Sequence, residues 1–263
     1  MRLDFFRQGG AAAAARAPSV PEQKASAAGR VVAWGGAGRV AWSPRDAVSL
    51  TRSGFAGNPV GFRTVKMIAE AAAALPLVLQ DAERRYATHP VLDLMAAPNP
   101  AQGRAEIFEA LYGQLLLTGN AYVEAVGAGP GLPLELHVLR SDRMSVVPGP
   151  DGWPLAYDYA VSGRKHRFDV SQGAPAICHI KSFHPQDDHY GLSPMGFSPS
   201  DMEFQKTKEA AAREIALAFG VPPMLLGIPG DATYANYQEA NRAFYRLTVL
   251  PLVARVTAAV ASW

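Results

Sequence analysis

Residues 103–127 read GRAEIFEALYGQLLLTGNAYVEAVG, and halfway through them the apolar period changes. Up to Thr118, Ile107, Leu111, Leu115 and Leu116 recur every three to four positions, the spacing of one helical face. Gly119 then supplies the residue type that most readily takes the left-handed conformation closing a helix. From Asn120 the period is two. Ala121, Val123 and Ala125 alternate with Tyr122, Glu124 and Val126, which predicts a strand with two distinct faces. A helix that feeds straight into a strand predicts a mixed chain of helices and antiparallel strands.

The flanks extend this pattern. In NPVGFRTVKMIAEAAAALPLVLQ (58–80), Asn58 is a helix N-cap, Pro59 suits the first helical position, and Val60, Val65, Ile68, Ala69 and Ala72 share a face. Pro76 is expected to end that helix, with LPLVLQ continuing as a buried strand. His89 to Ala96 predicts a short helix stopped by PNP (98–100). Downstream, LELHVLR (134–140) alternates Leu134, Leu136 and Val138 against Glu135, His137 and Leu139. Residues 143–168 predict three short strands joined at PGPDG and at Ser162-Gly163, both turn compositions, and AICHIK (176–181) predicts another strand. A long helix then spans Ser200–Phe219, with Ser200 and Glu203 as a capping box and Glu209 and Arg213 as a favourable i,i+4 pair. GVPP (220–223) stops it. MLLGIPGDATYAN (224–236) is a glycine-bearing loop, and residues 237–263 form a final helix with Phe244, Leu247, Leu250, Val253, Val256 and Val260 on one stripe. Pro251 cannot donate to the carbonyl of Leu247, so this helix is expected to kink. The fold class is α+β: a helical N-terminal part, a small antiparallel sheet and two long C-terminal helices.

Composition narrows the functional classes. The 263 residues are 49% hydrophobic but only 18% charged, below the usual quarter, so part of the surface is expected to face other protein. A formal net charge of +2 argues against a nucleic-acid-wrapping domain with a strong positive excess. Cys178 stands alone, which excludes an internal disulfide and a multi-cysteine zinc site. No uninterrupted apolar run reaches the ~18 residues of a membrane span, and Asp4, Arg7 and Gln8 break the N-terminus too early for a secretion signal. The Ala-, Gly-, Pro- and Ser-rich residues 1 to about 30 predict a mobile tail.

Catalytic constellations are scarce. CHIKSFHPQDDHYG (178–191) gathers Cys178, His179, His184, Asp187, Asp188 and His189, all metal-capable, but at a spacing that fits no ligand template; a strand running into a polar loop explains it better. WGGAGRVAW (34–42) has the glycines of a phosphate loop without the Lys-Ser or Lys-Thr and the helix that must follow. Arg84-Arg85 and GRKHR (163–167) are too short for a duplex-binding patch and read as exposed turn and strand residues. Neither a catalytic residue nor a metal or cofactor is expected.

Several stretches, in order, carry a resemblance: PNP (98–100), GNAYVE (119–124), ICHIKSF (177–183), GLSP (191–194), REIALAFGVPPMLLG (213–227) and FYRLTVLP (244–251). In these the chain resembles the portal proteins of long-tailed bacteriophages, the family that also supplies the portals of gene transfer agents. The likeness covers most of residues 58–260. It implies a portal-like fold: a tail and N-terminal extension at 1–57, a wing-type α+β region at 58–195, a stem-type helix at 196–226, a channel loop at 227–236, and a kinked wing helix at 237–263 leading toward the crown. It further implies a homo-oligomeric ring, a dodecamer, at a capsid vertex of a virion or gene transfer agent particle, assembled in the bacterial cytoplasm. The implied partners are the major capsid protein, the large terminase, a head-completion or adaptor protein, and double-stranded DNA without sequence specificity, but no membrane. Within the channel loop Gly227, Pro229 and Gly230 give an irregular path, and Asp231, Thr233, Tyr234 and Asn236 are the residues expected to face DNA. Lys206, Lys208 and Arg213 are read as solvating the stem-type helix. The rival reading is a capsid-associated adaptor or assembly protein that never touches DNA.

One local anomaly also finds a place here. Ser193-Pro194 and Ser198-Pro199 are two helix starts less than two turns apart. In the family, the first opens a long helix followed by the clip, and the second stretch comes only after them. The sequence therefore implies a seam at Met195–Gly196, with the clip and one stem helix missing. The end at Trp263, inside a helix without a cap, fits the same expectation.

Overall fold

The computed structural model describes residues 32–35, 39–42, 47–127, 131–170, 176–183, 205–228 and 234–263. The expected tail at 1–30, the Ser200–Glu203 capping box and the Met195–Gly196 seam lie outside these residues. Strands β1 (Val32–Gly35) and β2 (Arg39–Trp42) pair antiparallel. Helix α1 (Ala47–Ser49) runs into a π-helical turn, Leu50–Ala56, which leads to α2 (Pro59–Ala73). The start of α2 is the one its sequence predicts. Asn58 Oδ1 accepts hydrogen bonds from the backbone N–H of Val60 at 2.9 Å and of Gly61 at 3.0 Å, with Pro59 following the cap. Gly61 is required by packing, because a Cβ there would run into the carbonyl oxygen of Gly54 on the π turn.

LPLVLQ is not a buried strand. Only Leu79–Gln80 (β3) pairs, with Arg85–Tyr86 (β4), and the segment alternates between half-buried and exposed residues. A two-residue pairing can sit on the surface, and Pro76 removes a ladder donor from anything longer. After α3 (Pro90–Ala96), capped by His89, comes α4 (Arg104–Thr118). Gly119 closes α4 at φ 71°, and its N–H bonds the carbonyl of Leu115 at 2.9 Å. The single apolar face expected for α4 is too narrow. Phe108, Tyr112 and Leu117 are buried along with Ile107, Leu111 and Leu115, while Leu116 is half-buried. The helix lies between α2 and the strands that follow, so it needs an apolar surface on more than one side.

The strands build two three-stranded antiparallel sheets where the sequence suggested one. The first has the order β10-β5-β6, from β5 (Asn120–Val126), β6 (Glu135–Leu139) and β10 (Ile177–Lys181). The second is the meander β7 (Met144–Pro148), β8 (Pro154–Val161) and β9 (Arg164–Asp169), with Ser162 and Gly163 at φ 50° and 77° in the β8–β9 turn. One face of the first sheet carries Ala121, Val123, Ala125, Leu136, Cys178 and Ile180 into the main core with α2, α4 and the C-terminal helices. Its other face puts Tyr122, Leu139 and Ile177 against Tyr157 and Phe168 of the meander. Burial on both faces explains why Tyr122 and Leu139 sit inside although alternation assigns them to the polar side. Leu134, expected inward, is 77% exposed just ahead of β6.

Helix α5 (Gln205–Ala218) ends at Gly220 and is followed by a 3-10 turn, Pro223–Leu226. The last helix is composite: α6 (Tyr234–Phe244), a π turn over Tyr245–Val249, and α7 (Leu250–Ala261). The break falls in the turn before Pro251, where the sequence places it, as a widening of the helix. Its effect is a shift of register. Phe244 and Val249, five residues apart, are both buried, and Val256 follows one heptad later. Leu247 and Leu250, expected on the buried stripe, are instead 76% and 48% exposed. Among the described residues, Asn236–Ala261 is also long and apolar enough to cross a membrane by length and composition. Arg242, Arg246 and Arg255 interrupt it as an apolar run, which is why the sequence alone showed none.

Candidate channel loop and the joints that position it

Gly227 ends the 3-10 turn at φ 73°, and its N–H bonds the carbonyls of Met224 and Pro223. A left-handed residue at this point closes the turn. Residues 229–233, including Pro229, Gly230, Asp231 and Thr233, lie outside the described residues. Tyr234 and Asn236 do not lie in a loop: they occupy the first turn of α6. Ala235, Gln238, Glu239 and Ala240 favour helix and draw the preceding residues into it. Asn236 is exposed there. The two described ends of the expected 227–236 loop thus lie on helical elements. Lys206, Lys208 and Arg213 all lie on α5, and Arg213 is exposed.

What holds those ends is clearer. The carbonyl of Gly220, at φ 67°, accepts from Thr248 Oγ1 at 2.6 Å, and a Cβ on Gly220 would stand 2.7 Å from that oxygen. This clamps the end of α5 to the π turn of the last helix, while Val221 is 2% exposed in the core beside it. GVPP is therefore a joint as well as a helix stop. PNP is a second joint. Pro98 is fully buried and its carbonyl accepts the Leu136 N–H at 2.7 Å, while Asn99 Nδ2 donates to the Leu136 carbonyl at 3.0 Å. The pair continues the β6 edge and fixes the α3–α4 loop to it.

GNAYVE and ICHIK make the third joint. His179 stacks on Tyr122 with ring centroids 4.4 Å apart, and bonds Asn120 Oδ1 through Nε2 at 2.8 Å and the Tyr157 hydroxyl through Nδ1 at 3.1 Å. Because the amide oxygen accepts, Nε2 carries the proton and Nδ1 accepts from Tyr157. Burial pushes the Tyr157 hydroxyl up to about 12, with the nearby Cys178 thiol adding to the shift. These side chains connect the two sheets. Sequence reasoning gave none of these roles to His179, because its partners lie on β5 and β8, far away along the chain.

Of the metal-capable set, only Cys178 and His179 lie among the described residues. Cys178 is buried in the main core, and burial raises its thiol to about 11, so it is held as the unreactive neutral form. His179 is engaged between the sheets. His184, Asp187, Asp188 and His189 lie outside the described residues. GRKHR behaves as its composition predicts: β9 is an exposed sheet edge, and Arg167 holds Asp158 through two bonds at 2.6 and 2.8 Å. Arg84 sits over the Tyr86 ring at 4.5 Å on the exposed β3–β4 hairpin. Of the glycines of WGGAGRVAW, Gly35 pairs with Arg39 in the β1–β2 ladder, and Gly36 and Gly38 lie outside the described residues.

A helical layer on a twice-covered sheet, a sheet-to-meander joint and a π-broken last helix together define a portal-type architecture. The family model for phage portal protein matches residues 59–196 and 192–263. The chain belongs to the phage portal protein family, which separates it from the adaptor class. Among solved structures it is similar to a chain in the neck of an empty gene transfer agent particle computed with C6 symmetry: 56% identity, TM-score 0.74, 86% of this chain and 82% of that one. A chain in the neck of a native gene transfer agent particle computed with C12 symmetry is 53% identical, with a TM-score of 0.72 over 87% of this chain and 82% of that one. An HK97-family phage portal protein from Corynebacterium diphtheriae, 14% identical with a TM-score of 0.52 over 83% of this chain and 89% of that one, shares the fold. An uncharacterized protein of Rickettsia bellii (strain RML369-C) is 28% identical over 287 residues, 78% of this chain and 74% of the relative.

Proposed function

We propose that this portal protein works as one subunit of a closed ring in the neck of a gene transfer agent or phage particle. Double-stranded DNA passes through the ring's centre during packaging and ejection; a terminase docks on it first and head-completion proteins later, at a vertex of the capsid assembled in the bacterial cytoplasm. The observation that carries this reading is the match, over more than four fifths of the chain, to neck chains 53–56% identical to it. Heterologous contacts that close by rotation produce a ring rather than a filament. The formal net charge of +2 suits a channel through which DNA must slide, since each strong phosphate contact would add to its retention. The role is structural, and the reading assigns no chemical step. Negative-stain microscopy of the purified chain tests it: closed rings with a central hole are expected, and monomers or open filaments refute it.

Two finer elements belong to the same reading. Residues 227–236 act as the channel-loop segment, with Gly227 and Gly230 shaping it, Asp231 and Thr233 toward DNA, and Tyr234 and Asn236 toward DNA from the first turn of α6; its position in the sequence, between the clamped Gly220 and the last helix, supports this. Particles that package DNA normally after deletion of residues 231–235 would remove the loop from the mechanism. Second, Met195–Gly196 is a seam from which the clip and one stem helix are missing. The family model meets the chain in two pieces that overlap at 192–196, and this supports a seam there. Sequencing the gene across codons 190–200 in the source genome settles whether a stretch of about family length intervenes.

A further inference from the structure

The last helix carries two apolar faces, and the described residues cover only one. Its inner stripe, Phe244, Val249 and Val256, is almost fully buried. On the opposite side Leu247, Leu250, Ala254, Ala258 and Ala261 recur at steps of three to four, with Pro251 beside them, and all are exposed. Between Leu247 and Trp263 the only charged residue is Arg255, and its Nη1 reaches back to Ser182 Oγ at 3.3 Å. A helix lying against a core normally turns charged residues to water, whereas one that is apolar all round is normally covered all round. The π turn creates this second face: it carries Leu247 and Leu250 out of the core stripe while Val249 takes the inner place. Alanines at 254, 258 and 261 leave a shallow surface against which another chain can approach closely.

We infer that the outer face of this helix, from Leu247 to Ala261, is the surface on which the neighbouring copy of this chain packs. The inference rests on the ring reading above. What selects a second copy as the occupant is the symmetric neck, C6 or C12, in which chains 53–56% identical over at least 86% of this chain are arranged. The low charged fraction, 18%, agrees with a surface shared among copies. In a ring the contact is heterologous, so the neighbour presents a different patch to this face.

The test introduces a charge on the face in the full chain, as Leu250→Glu and, separately, Ala258→Glu, with Leu250→Ala as a milder variant. Leu134→Glu, at an exposed leucine ahead of β6, is the control. Native mass spectrometry and negative-stain microscopy read assembly, and thermal unfolding reads the fold. The expected result is closed rings for the wild type and Leu134→Glu. The two charged variants should self-associate at least tenfold more weakly with unchanged unfolding midpoints, and Leu250→Ala should fall between. Charged variants that form rings like the wild type overturn this inference and leave the ring reading standing. Rings retained with a lowered midpoint overturn it in favour of a segment of the same chain. Wild-type binding to phosphatidylcholine vesicles, abolished by the charged variants while rings persist, overturns it in favour of a lipid surface. A wild type that never closes rings overturns the ring reading, and this inference with it.

Discussion

Helix α4 and the C-terminal helix are both apolar on more than one side, yet their surroundings differ. From Leu111 to Thr118 no residue of α4 is exposed, because α2 takes one flank and the first sheet another. From Leu247 to Ala261 the last helix buries Val249 and Val256 and leaves a full apolar stripe outside. The same composition thus has two meanings. In α4 it records neighbours in the same chain; in the last helix the described residues cover one side and leave the other exposed.

The sharpest way to break that comparison is to truncate each helix at its apolar positions. Leu115→Ala, at a site 1% exposed, should destabilise the fold by about 2–5 kcal/mol in chemical denaturation. A loss comparable to that of a surface substitution would mean that α4 is not the interior helix described. Next, Gly220→Ala should cost about 1–3 kcal/mol, from the left-handed backbone and from the approach to Thr248 Oγ1. Combining it with Thr248→Ala should recover part of that loss, and purely additive values in the double-mutant cycle would show that the clamp does not couple α5 to the last helix.

The covered core should also show a pH signature that the outer face lacks. The folded Cys178 thiol is raised to about 11 from an ordinary value of 9.0. Its contribution is therefore fully present below pH 9, and is lost as pH rises through 9 toward 11, on the order of 3 kcal/mol in all. Urea titrations at pH 8 and pH 10.5 should show this decline, and Cys178→Val should reduce it, the remainder coming from the buried hydroxyls of Tyr112 and Tyr157, both raised to about 12. A smaller effect, about 1 kcal/mol, is expected for Tyr157→Phe, which removes the hydroxyl that bonds His179 between the sheets. Smallest of all, Leu250→Ala should shift the stability of the isolated monomer by no more than about 0.5 kcal/mol, as for a surface site. A large loss there would show that the outer face is already covered within one chain.

Much of the fold was legible because its signals are local. The Asn58-Pro59 start, the Gly119 stop, the Ser162-Gly163 turn and the place of the break before Pro251 each depend on backbone chemistry within a few residues. The errors have a common origin in partners distant along the chain. LPLVLQ has the composition of a buried strand, but among the described residues only Leu79 and Gln80 of it pair. Tyr122 and Leu139 fall on the polar side of their strands by alternation, yet a second sheet arrives to bury them. Leu247 and Leu250 belong to the inner stripe at 3.6 residues per turn, and the π turn removes them from it. For the channel loop, sequence resemblance supplied the segment, and the structure moved Tyr234 and Asn236 into α6.

By itself the sequence determined the mixed α and β class, the helix caps and turns, the family resemblance and the low surface charge. These follow from residue type and short-range spacing, which act before the chain has any tertiary contact. Only the tertiary structure decided that the longer strands form two three-stranded sheets, that PNP and GVPP serve as joints, that His179 ties one of them to the other, and which side of the last helix the described residues leave uncovered. Each of those depends on where hydrogen-bonding and apolar groups far apart in sequence come to lie against one another. Periodicity can show that a helix has an apolar face; burial shows which apolar face the chain covers itself.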